Sequence, residues 1–148
     1  GDTIVIDYGG AYEGYASDST RTFFWKKVEP EMQSVFEAVR DANETVRKEA
    51  TKKTRYNDMD GLARSIIAKA GYRDKFIHRL GHGLGIQVHE PPYLVASNSQ
   101  TMINDSVFTI EPGIYIPGMG GVRIEDTNYF DGQHCIPFNR MSRSLTVL

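Results

Sequence analysis

Apolar and β-branched stretches at both ends of the chain predict β-structure. Thr3 to Tyr8 predicts a strand, and Thr20 to Trp25 predicts its return strand after a glycine-rich turn. In the second half, the same kind of pattern predicts strands at Ser106 to Glu111, Ile114 to Ile116 and Val122 to Phe130. Each end of the chain is therefore expected to form a β-hairpin.

Between the two ends, apolar residues recur at three- and four-residue steps, which is the spacing of amphipathic helices. Glu29-Pro30 places a proline where a helix begins, and the pattern that follows predicts a helix of roughly six turns. The apolar positions of this helix are Met32, Val35, Phe36, Val39, Ala42, Val46 and Ala50. A second helix is predicted from about Asp58 to Ala70, and Gly71 ends it.

The remaining segments are punctuated by glycine and proline. Gly81 to Gly85 predicts a turn, Ile86 to Val88 a short strand, and Pro91 to Asp105 a polar loop. Asp131-Gly132 is typical of a tight hairpin turn. The order of strands, two helices and more strands predicts an α+β fold, and no linker divides residues 1–148, so we expect one domain.

Composition narrows the possible partners. The chain is 40% hydrophobic and 24% charged, as in ordinary globular proteins. Its formal net charge of -2, without any block of like charges, argues against a nucleic-acid partner. No apolar run approaches the length of a membrane span, so no membrane partner is expected. Because Cys135 is the single cysteine, no internal disulfide can form, which favours a reducing, cytoplasmic setting.

The most informative feature is a near-repeat of an acidic hairpin. Near the start, Ile6-Asp7-Tyr8-Gly9 is followed by Asp18-Ser19-Thr20-Arg21-Thr22-Phe23. Near the end, Ile110-Glu111-Pro112-Gly113 is followed by Glu125-Asp126-Thr127-Asn128-Tyr129-Phe130. Each hairpin thus carries one carboxylate per arm, and two such hairpins can place four carboxylates around one point.

Hairpin geometry predicts how these carboxylates face each other. Asp7 and Asp18 are directly opposed if the first turn centres on Tyr12-Glu13, and the glutamates of the second hairpin are opposed if its turn centres near Gly118. Opposed side chains share a face, with Cβ atoms about 4.5–5.5 Å apart. Like charges at that distance repel unless a cation neutralises them. The sequence therefore predicts a metal site.

His82 is the natural nitrogen ligand, because Gly81 and Gly83 on either side allow close approach of the backbone. Mostly oxygen ligands with one imidazole suit Mn, Co, Fe or Zn. Two acidic pairs and one imidazole predict a binuclear site, with carboxylates bridging ions about 3.5–4 Å apart. The sequence contains no CxxC or HExxH motif, so a structural zinc knuckle and a zincin are unsupported.

These residues, in this order and with these local motifs, closely resemble the pita-bread metallopeptidases. That family includes methionine aminopeptidase, prolidase, aminopeptidase P and creatinase. The resemblance extends over residues 4 to 130 and is carried by five motifs in order. They are Ile6-Asp7-Tyr8-Gly9, Ser17-Asp18-Ser19-Thr20-Arg21-Thr22-Phe23, Gly81-His82-Gly83-Leu84-Gly85, Glu111-Pro112-Gly113 and Arg123-Ile124-Glu125-Asp126.

The resemblance implies a pita-bread fold and a role for each ligand. Asp7 is expected to chelate one ion, Asp18 and Glu125 to bridge, and His82 and Glu111 to complete the second ion. Glu111 is also expected to act as general acid and base. A hydroxide bridging the two ions is expected to attack the scissile carbonyl of a peptide.

Three further residues indicate the branch of the family. His89 resembles the family histidine that hydrogen-bonds the substrate carbonyl and its oxyanion. His78 and Arg123 resemble the proline-peptidase pattern, in which they serve the proline side of the substrate and proton handling. The best match is an Xaa-Pro peptidase, either prolidase or aminopeptidase P, acting on peptides with proline after the scissile bond.

The resemblance also implies a departure. The family's catalytic domain has an N-terminal half before the first aspartate motif, and this chain is expected to be the C-terminal part, either a fragment of a larger enzyme or completed by a partner copy. Two other functions stay open: a non-catalytic binding module or inactive fragment on the same fold, and a methionine aminopeptidase. Dipeptides and longer substrates are equally compatible with the sequence.

Overall fold

The computed structural model describes residues 1–148 and contains two α-helices, nine β-strands and one short 3-10 turn. The helices are α1 (Pro30–Glu49) and α2 (Tyr56–Lys69), and the 3-10 turn is Arg73–Lys75. The strands are β1 (Thr3–Tyr12), β2 (Tyr15–Phe24), β3 (Gly81–Gly83), β4 (Glu90–Leu94), β5 (Ser106–Ile110), β6 (Gly113–Ile116), β7 (Gly120–Arg123), β8 (Asp126–Phe130) and β9 (Cys135–Pro137). The predicted α+β fold class is confirmed.

The strands form three antiparallel sheets. Strands β1 and β2 make the first hairpin, and β6 and β7 make another two-stranded sheet. The largest sheet has five strands in the order β4-β3-β5-β8-β9. A bridge between Thr20 and Glu125 joins the first hairpin to the second half of the chain. The two ends of the sequence therefore meet in the folded protein.

The second acidic hairpin is one long hairpin with a break in its middle. Ile110 pairs with Asp126 in the ladder of β5 and β8, and Gly113 pairs with Arg123 in the ladder of β6 and β7. Both pairs belong to the same register, whose turn centres on Gly118 as the sequence predicted. Between the two ladders lie residues 111–112 and 124–125, which include both glutamates.

Both helices pack on the sheets through their apolar faces and enclose one core. In α1, the buried residues follow the predicted spacing and include Met32, Val35, Phe36, Val39, Ala42 and Val46. Helix α1 contacts β5, β6 and β7, and α2 contacts α1 and β4. The core side of the second hairpin thus faces α1, which leaves its opposite face free to line a cleft.

The register of the first hairpin differs from the predicted one by two residues, because the turn lies one residue further along the chain. Its two-residue turn is Glu13-Gly14, and both residues have positive φ angles, 49° and 86°. Positive φ at both central residues is the signature of a tight hairpin turn whose twist suits the flanking strands, and glycine adopts it readily. As a result, Asp7 lies opposite Thr20 rather than opposite Asp18.

The glycine-rich middle of the chain was predicted less well. Residues Gly81–Gly83 form β3 instead of a turn, and Glu90–Leu94 form β4 within the predicted polar loop. Ile86 to Val88 is not a strand. The turn at Asp131-Gly132 belongs to a four-residue loop, because Phe130 pairs with Cys135. Strand β3 has only three residues, and two of them are glycine, so the pattern of hydrophobic residues gives little indication of it.

Neither helix combines the length and the apolar character that crossing a membrane would require.

Candidate metal centre

All eight predicted site residues line a single open cleft. Three further residues, Ile77, Arg79 and Tyr115, line it with them. The predicted residues in the cleft are Asp7, Asp18, His78, His82, His89, Glu111, Arg123 and Glu125. They come from four strands and four connecting segments, so their convergence is a property of the tertiary structure.

The first hairpin brings two carboxylates to the same face of its sheet. Asp7 faces Thr20, and Asp18 faces Gly9, so the two aspartates are diagonal neighbours separated by two positions of the ladder. Diagonal neighbours point to the same side of a sheet because side chains alternate with a period of two. The shift in register therefore changes the spacing of the pair but keeps both carboxylates in the cleft.

Glu125 is the most deeply buried carboxylate of the cleft, with 2% of its surface exposed. The Thr20 hydroxyl donates a 2.6 Å hydrogen bond to its Oε2 atom. The backbone N–H of Glu125 donates to the Thr20 carbonyl at 3.0 Å. Thr20 thus holds both the backbone and the carboxylate of Glu125.

His82 is held between two close backbones. A β-carbon added at Gly81 would lie 2.0 Å from the Thr109 carbonyl oxygen, so only glycine fits there. The His82 Nδ1 atom lies 3.0 Å from the Gly83 carbonyl, which requires Nδ1 to carry a proton and donate. The other ring nitrogen, Nε2, is then directed at Glu111 Oε1, 3.3 Å away, and at Asp18 Oδ2, 3.6 Å away.

The electrostatics of the cleft favour a cation. Burial, followed by the negative charge of Glu111, raises the pKa of Glu125 to about 8. Burial and the neighbouring Asp7 raise the pKa of Asp18. Burial opposes protonation of His82, yet its pKa is raised because Glu111 and the Gly83 carbonyl stabilise the charged ring. Burial is thus the largest cause of the shifts of the two carboxyl groups, and the neighbouring negative charges add to it.

The ligand atoms are close enough to share ions. Three groups of side chains each have ligand atoms within 4.8 Å of one another. These groups are Asp7 with Asp18 and Glu125, His82 with Glu111 and Glu125, and Asp18 with His82 and His89. Asp18, Glu125 and His82 each belong to two groups. Of these three, the carboxylates have two oxygens each and can therefore bridge two ions. The donor set of oxygens with one or two imidazole nitrogens fits a pair of divalent ions.

A second network, made of His78, Tyr115, Arg123 and Asp7, lines one wall. The Nδ1 atom of His78 lies 2.8 Å from the Arg79 carbonyl and must donate to it, which leaves Nε2 as an acceptor. The Tyr115 hydroxyl, 3.1 Å from Nε2, donates to it and accepts from Arg123 Nη1 at 3.1 Å. Arg123 also forms an ion pair with Asp7. Burial lowers the pKa of His78, which favours its neutral form.

Arg123 pairs with Asp7 and not with Asp126, which lies three residues further along the chain. Asp126 is completely buried and instead pairs with Arg21 at 2.6 Å and with Arg143. Arg21 also donates to the carbonyl of Glu125 at 2.6 Å. This buried charge cluster ties the two hairpins together behind the cleft.

Sequence reasoning missed Tyr115, Thr20 and Arg21 as parts of the site. Tyr115 had a usable signal, because it lies on the same alternating face of the long hairpin as Glu111, Arg123 and Glu125. Thr20 and Arg21 stand in the quoted motif around Asp18, but their partners lie more than 100 residues away. No local pattern reveals such partners.

Residues 1–130 match the profile of metallopeptidase family M24, and the chain belongs to that family. Its fold is the pita-bread fold, which the prolidases of known structure share.

Individual relatives are similar along nearly the whole chain. Putative dipeptidase YkvY of Bacillus subtilis is 42% identical over 148 residues, which is 100% of this chain and 41% of that protein. The Xaa-Pro dipeptidase of Lactobacillus delbrueckii subsp. lactis is 42% identical over 99% of this chain and 40% of its own length. The crystal structure of prolidase from Thermococcus sibiricus superposes with a TM-score of 0.97 at 43% identity, covering 100% of this chain and 40% of that one. The chain thus spans about two fifths of the length of these relatives.

Proposed function

We propose that this chain carries the binuclear metal centre of an Xaa-Pro peptidase, which hydrolyses the peptide bond that precedes proline. The observation that carries the proposal is the convergence of four carboxylates and the His82 imidazole in one cleft, with shared ligand groups at Asp18 and Glu125. The relatives named as Xaa-Pro dipeptidase and prolidase support the choice of substrate.

In this proposal each ligand has a defined place. Asp7, Asp18 and Glu125 would hold one ion, and Asp18 and Glu125 together with His82 and Glu111 would hold the second ion. Mn, Co, Zn or Fe suits these donors equally. When bound, two such ions supply positive charge that acidifies a coordinated water and polarises a substrate carbonyl.

Other side chains of the cleft handle the proton and the substrate. Glu111, half-buried at the cleft wall, would accept a proton and pass it to the leaving nitrogen. His89 contacts the His82 ring edge-on, with centroids 4.3 Å apart, where it can donate to the substrate carbonyl. The neutral His78, fixed by Tyr115, and Arg123 form the wall proposed for the proline side.

Proline makes the scissile bond a tertiary amide without an N–H group, so recognition must come from the ring and from charge. The proposed partner is therefore a peptide with proline after the scissile bond. Completion of the site by a further part of the same enzyme or by a second copy of the chain, and a cytoplasmic location, are parts of the same proposal.

Metal binding and cleavage, measured together, test this function. The purified 148-residue chain is stripped with EDTA and titrated with Mn²⁺ or Co²⁺ in a calorimeter, and the expected stoichiometry is two ions per chain. The loaded chain is then given an Xaa-Pro dipeptide, the matching Xaa-Ala dipeptide, and a peptide that begins with Met-Ala. Hydrolysis of the proline substrate alone is expected.

The other outcomes separate the alternatives. Two bound ions without any cleavage would favour a non-catalytic binding module. Removal of the initiator Met without a preference for proline would favour a methionine aminopeptidase. Failure to bind ions at millimolar Mn²⁺ would refute the proposed metal centre.

A further inference from the structure

Helix α1 contributes one buried polar side chain to an otherwise apolar face. Asn43 is 1% exposed, and Ala42 and Val46 beside it belong to the hydrophobic core. The Asn43 Nδ2 atom lies 2.8 Å from the carbonyl oxygen of Ile110 and 3.3 Å from that of Ile124. One amide group therefore contacts both arms of the long hairpin.

These two carbonyls belong to the residues immediately before Glu111 and Glu125. The contact lies at the break between the ladder of β5 with β8 and the ladder of β6 with β7. At this break the backbone N–H of Glu111 donates to Leu80, and that of Glu125 donates to Thr20. Within the break the two arms pair only through a long hydrogen bond, 3.4 Å from the Ile124 N–H to the Pro112 carbonyl. The glutamate backbones themselves are not paired with each other, so a further contact can help to set their separation.

Asparagine is an unfavourable choice at this position unless its amide N–H groups are needed. It is a weak helix former, and a buried polar group costs free energy unless it is hydrogen-bonded. The Asn43 Oδ1 atom has no hydrogen-bond partner. Because both neighbours are carbonyl acceptors, only the NH₂ group can face them, which fixes the orientation of the amide. The two N–H donors are thus the useful part of this side chain.

We propose that Asn43 is a positioning residue that sets the spacing of Glu111 and Glu125 from the core side of the hairpin. The side chains of Ile110 and Ile124 are fully buried on the α1 side, so the glutamates that follow them point to the opposite face and into the cleft. Holding the two carbonyls on one NH₂ group fixes the arms relative to each other and therefore the two carboxylates. This inference rests on the proposed metal centre.

The test compares Asn43→Leu with Val46→Ala in the 148-residue chain. Leucine has a similar size but no donor, whereas Val46→Ala removes core packing on the same helix face without touching the hairpin carbonyls. Calorimetric titration with Mn²⁺ is expected to give an affinity at least about tenfold weaker for Asn43→Leu, the size found when groups behind metal ligands are removed. Val46→Ala should lower stability but leave the Mn²⁺ affinity unchanged.

The outcomes are distinct. Wild-type affinity and stoichiometry in Asn43→Leu would overturn the positioning role, even though the wild-type chain binds its ions. An equal loss of affinity in both variants would also overturn it, because general loosening of the core would then be the cause. A wild-type chain that binds no ions would refute the metal centre instead.

A measurement on the wild-type protein covers the case in which Asn43→Leu does not fold. Hydrogen exchange of the Asn43 side-chain NH₂ protons, followed by NMR, is expected to be much slower than that of the exposed Asn104. Slow exchange would support hydrogen bonds from this NH₂ group to the carbonyls of Ile110 and Ile124. Exchange as fast as that of Asn104 would overturn it.

Discussion

Replacing Glu125 with glutamine should stabilise the metal-free protein at alkaline pH. Glu125 is 2% exposed, and its pKa is raised from 4.5 to about 8 by burial and by Glu111. Between these two pH values the folded protein keeps a proton on Glu125 that the unfolded chain has released. Stability must therefore fall as the pH rises through this window. Glutamine is neutral throughout and keeps an oxygen that can accept from Thr20.

The size of the effect follows from the shift. One pKa unit corresponds to about 1.4 kcal/mol. Ionisation of Glu125 therefore lowers the free energy of unfolding of the wild-type protein by up to about 5 kcal/mol above pH 8, and it has no effect below pH 4.5. We expect Glu125→Gln to match the wild type at pH 4.5 and to exceed its free energy of unfolding at pH 8 by about 2–5 kcal/mol.

Urea unfolding in EDTA at a series of pH values measures this difference. The exposed Glu49→Gln makes the same chemical change on α1 and should give no pH-dependent difference from the wild type. A difference between wild type and Glu125→Gln that stays constant from pH 4.5 to pH 8 would refute the reasoning. Added Mn²⁺ should stabilise the wild type but not Glu125→Gln, because the proposed bridging ligand has lost its charge.

Three further predictions concern single carboxylates. Glu111→Ala should lower turnover of an Xaa-Pro substrate by about 10²–10⁴-fold or more while leaving the thermal midpoint nearly unchanged, and near-wild-type turnover would refute its proton-transfer role. Asp18→Asn should weaken binding of both ions in a Mn²⁺ titration, and unchanged affinity and stoichiometry would contradict a bridging ligand. Asp126→Asn removes the partner of Arg21 and should cost about 3–5 kcal/mol in urea unfolding. The exposed Asp41→Asn should cost under about 1 kcal/mol, and equal losses would show that the buried pair is not important.

The cleft combines close carboxylates and buried polar groups, both of which lower the stability of the fold. Four carboxylates lie close together, and the two hairpins that carry them are held from behind by the cluster of Arg21, Asp126 and Arg143. Asn43 adds a buried polar contact at the middle of the second hairpin. In the proposed function, cations offset the repulsion, and the polar groups behind the cleft set where the carboxylates stand.

The sequence by itself determined the helices and the set of candidate residues that meet in the cleft. The three- and four-residue spacing of apolar residues in α1 holds over five turns, so burial of one face predicts the element with little ambiguity. The repeated acidic hairpin and the flanking glycines of His82 were also readable, because ligand chemistry restricts which residue types can stand there. The five ligands selected on these grounds line the same cleft as His78, His89 and Arg123, which were selected by the resemblance to the family.

Only the tertiary structure decided how those residues face one another. The two-residue shift in register that puts Asp7 opposite Thr20 comes from a turn at Glu13-Gly14, whose backbone angles the apolar pattern of the strands does not encode. The contacts of Thr20 and Asn43 with the second hairpin join residues about 65 to 105 positions apart in sequence. A local pattern records which face of an element is apolar, but the partner across a polar contact is chosen by the packing of distant segments.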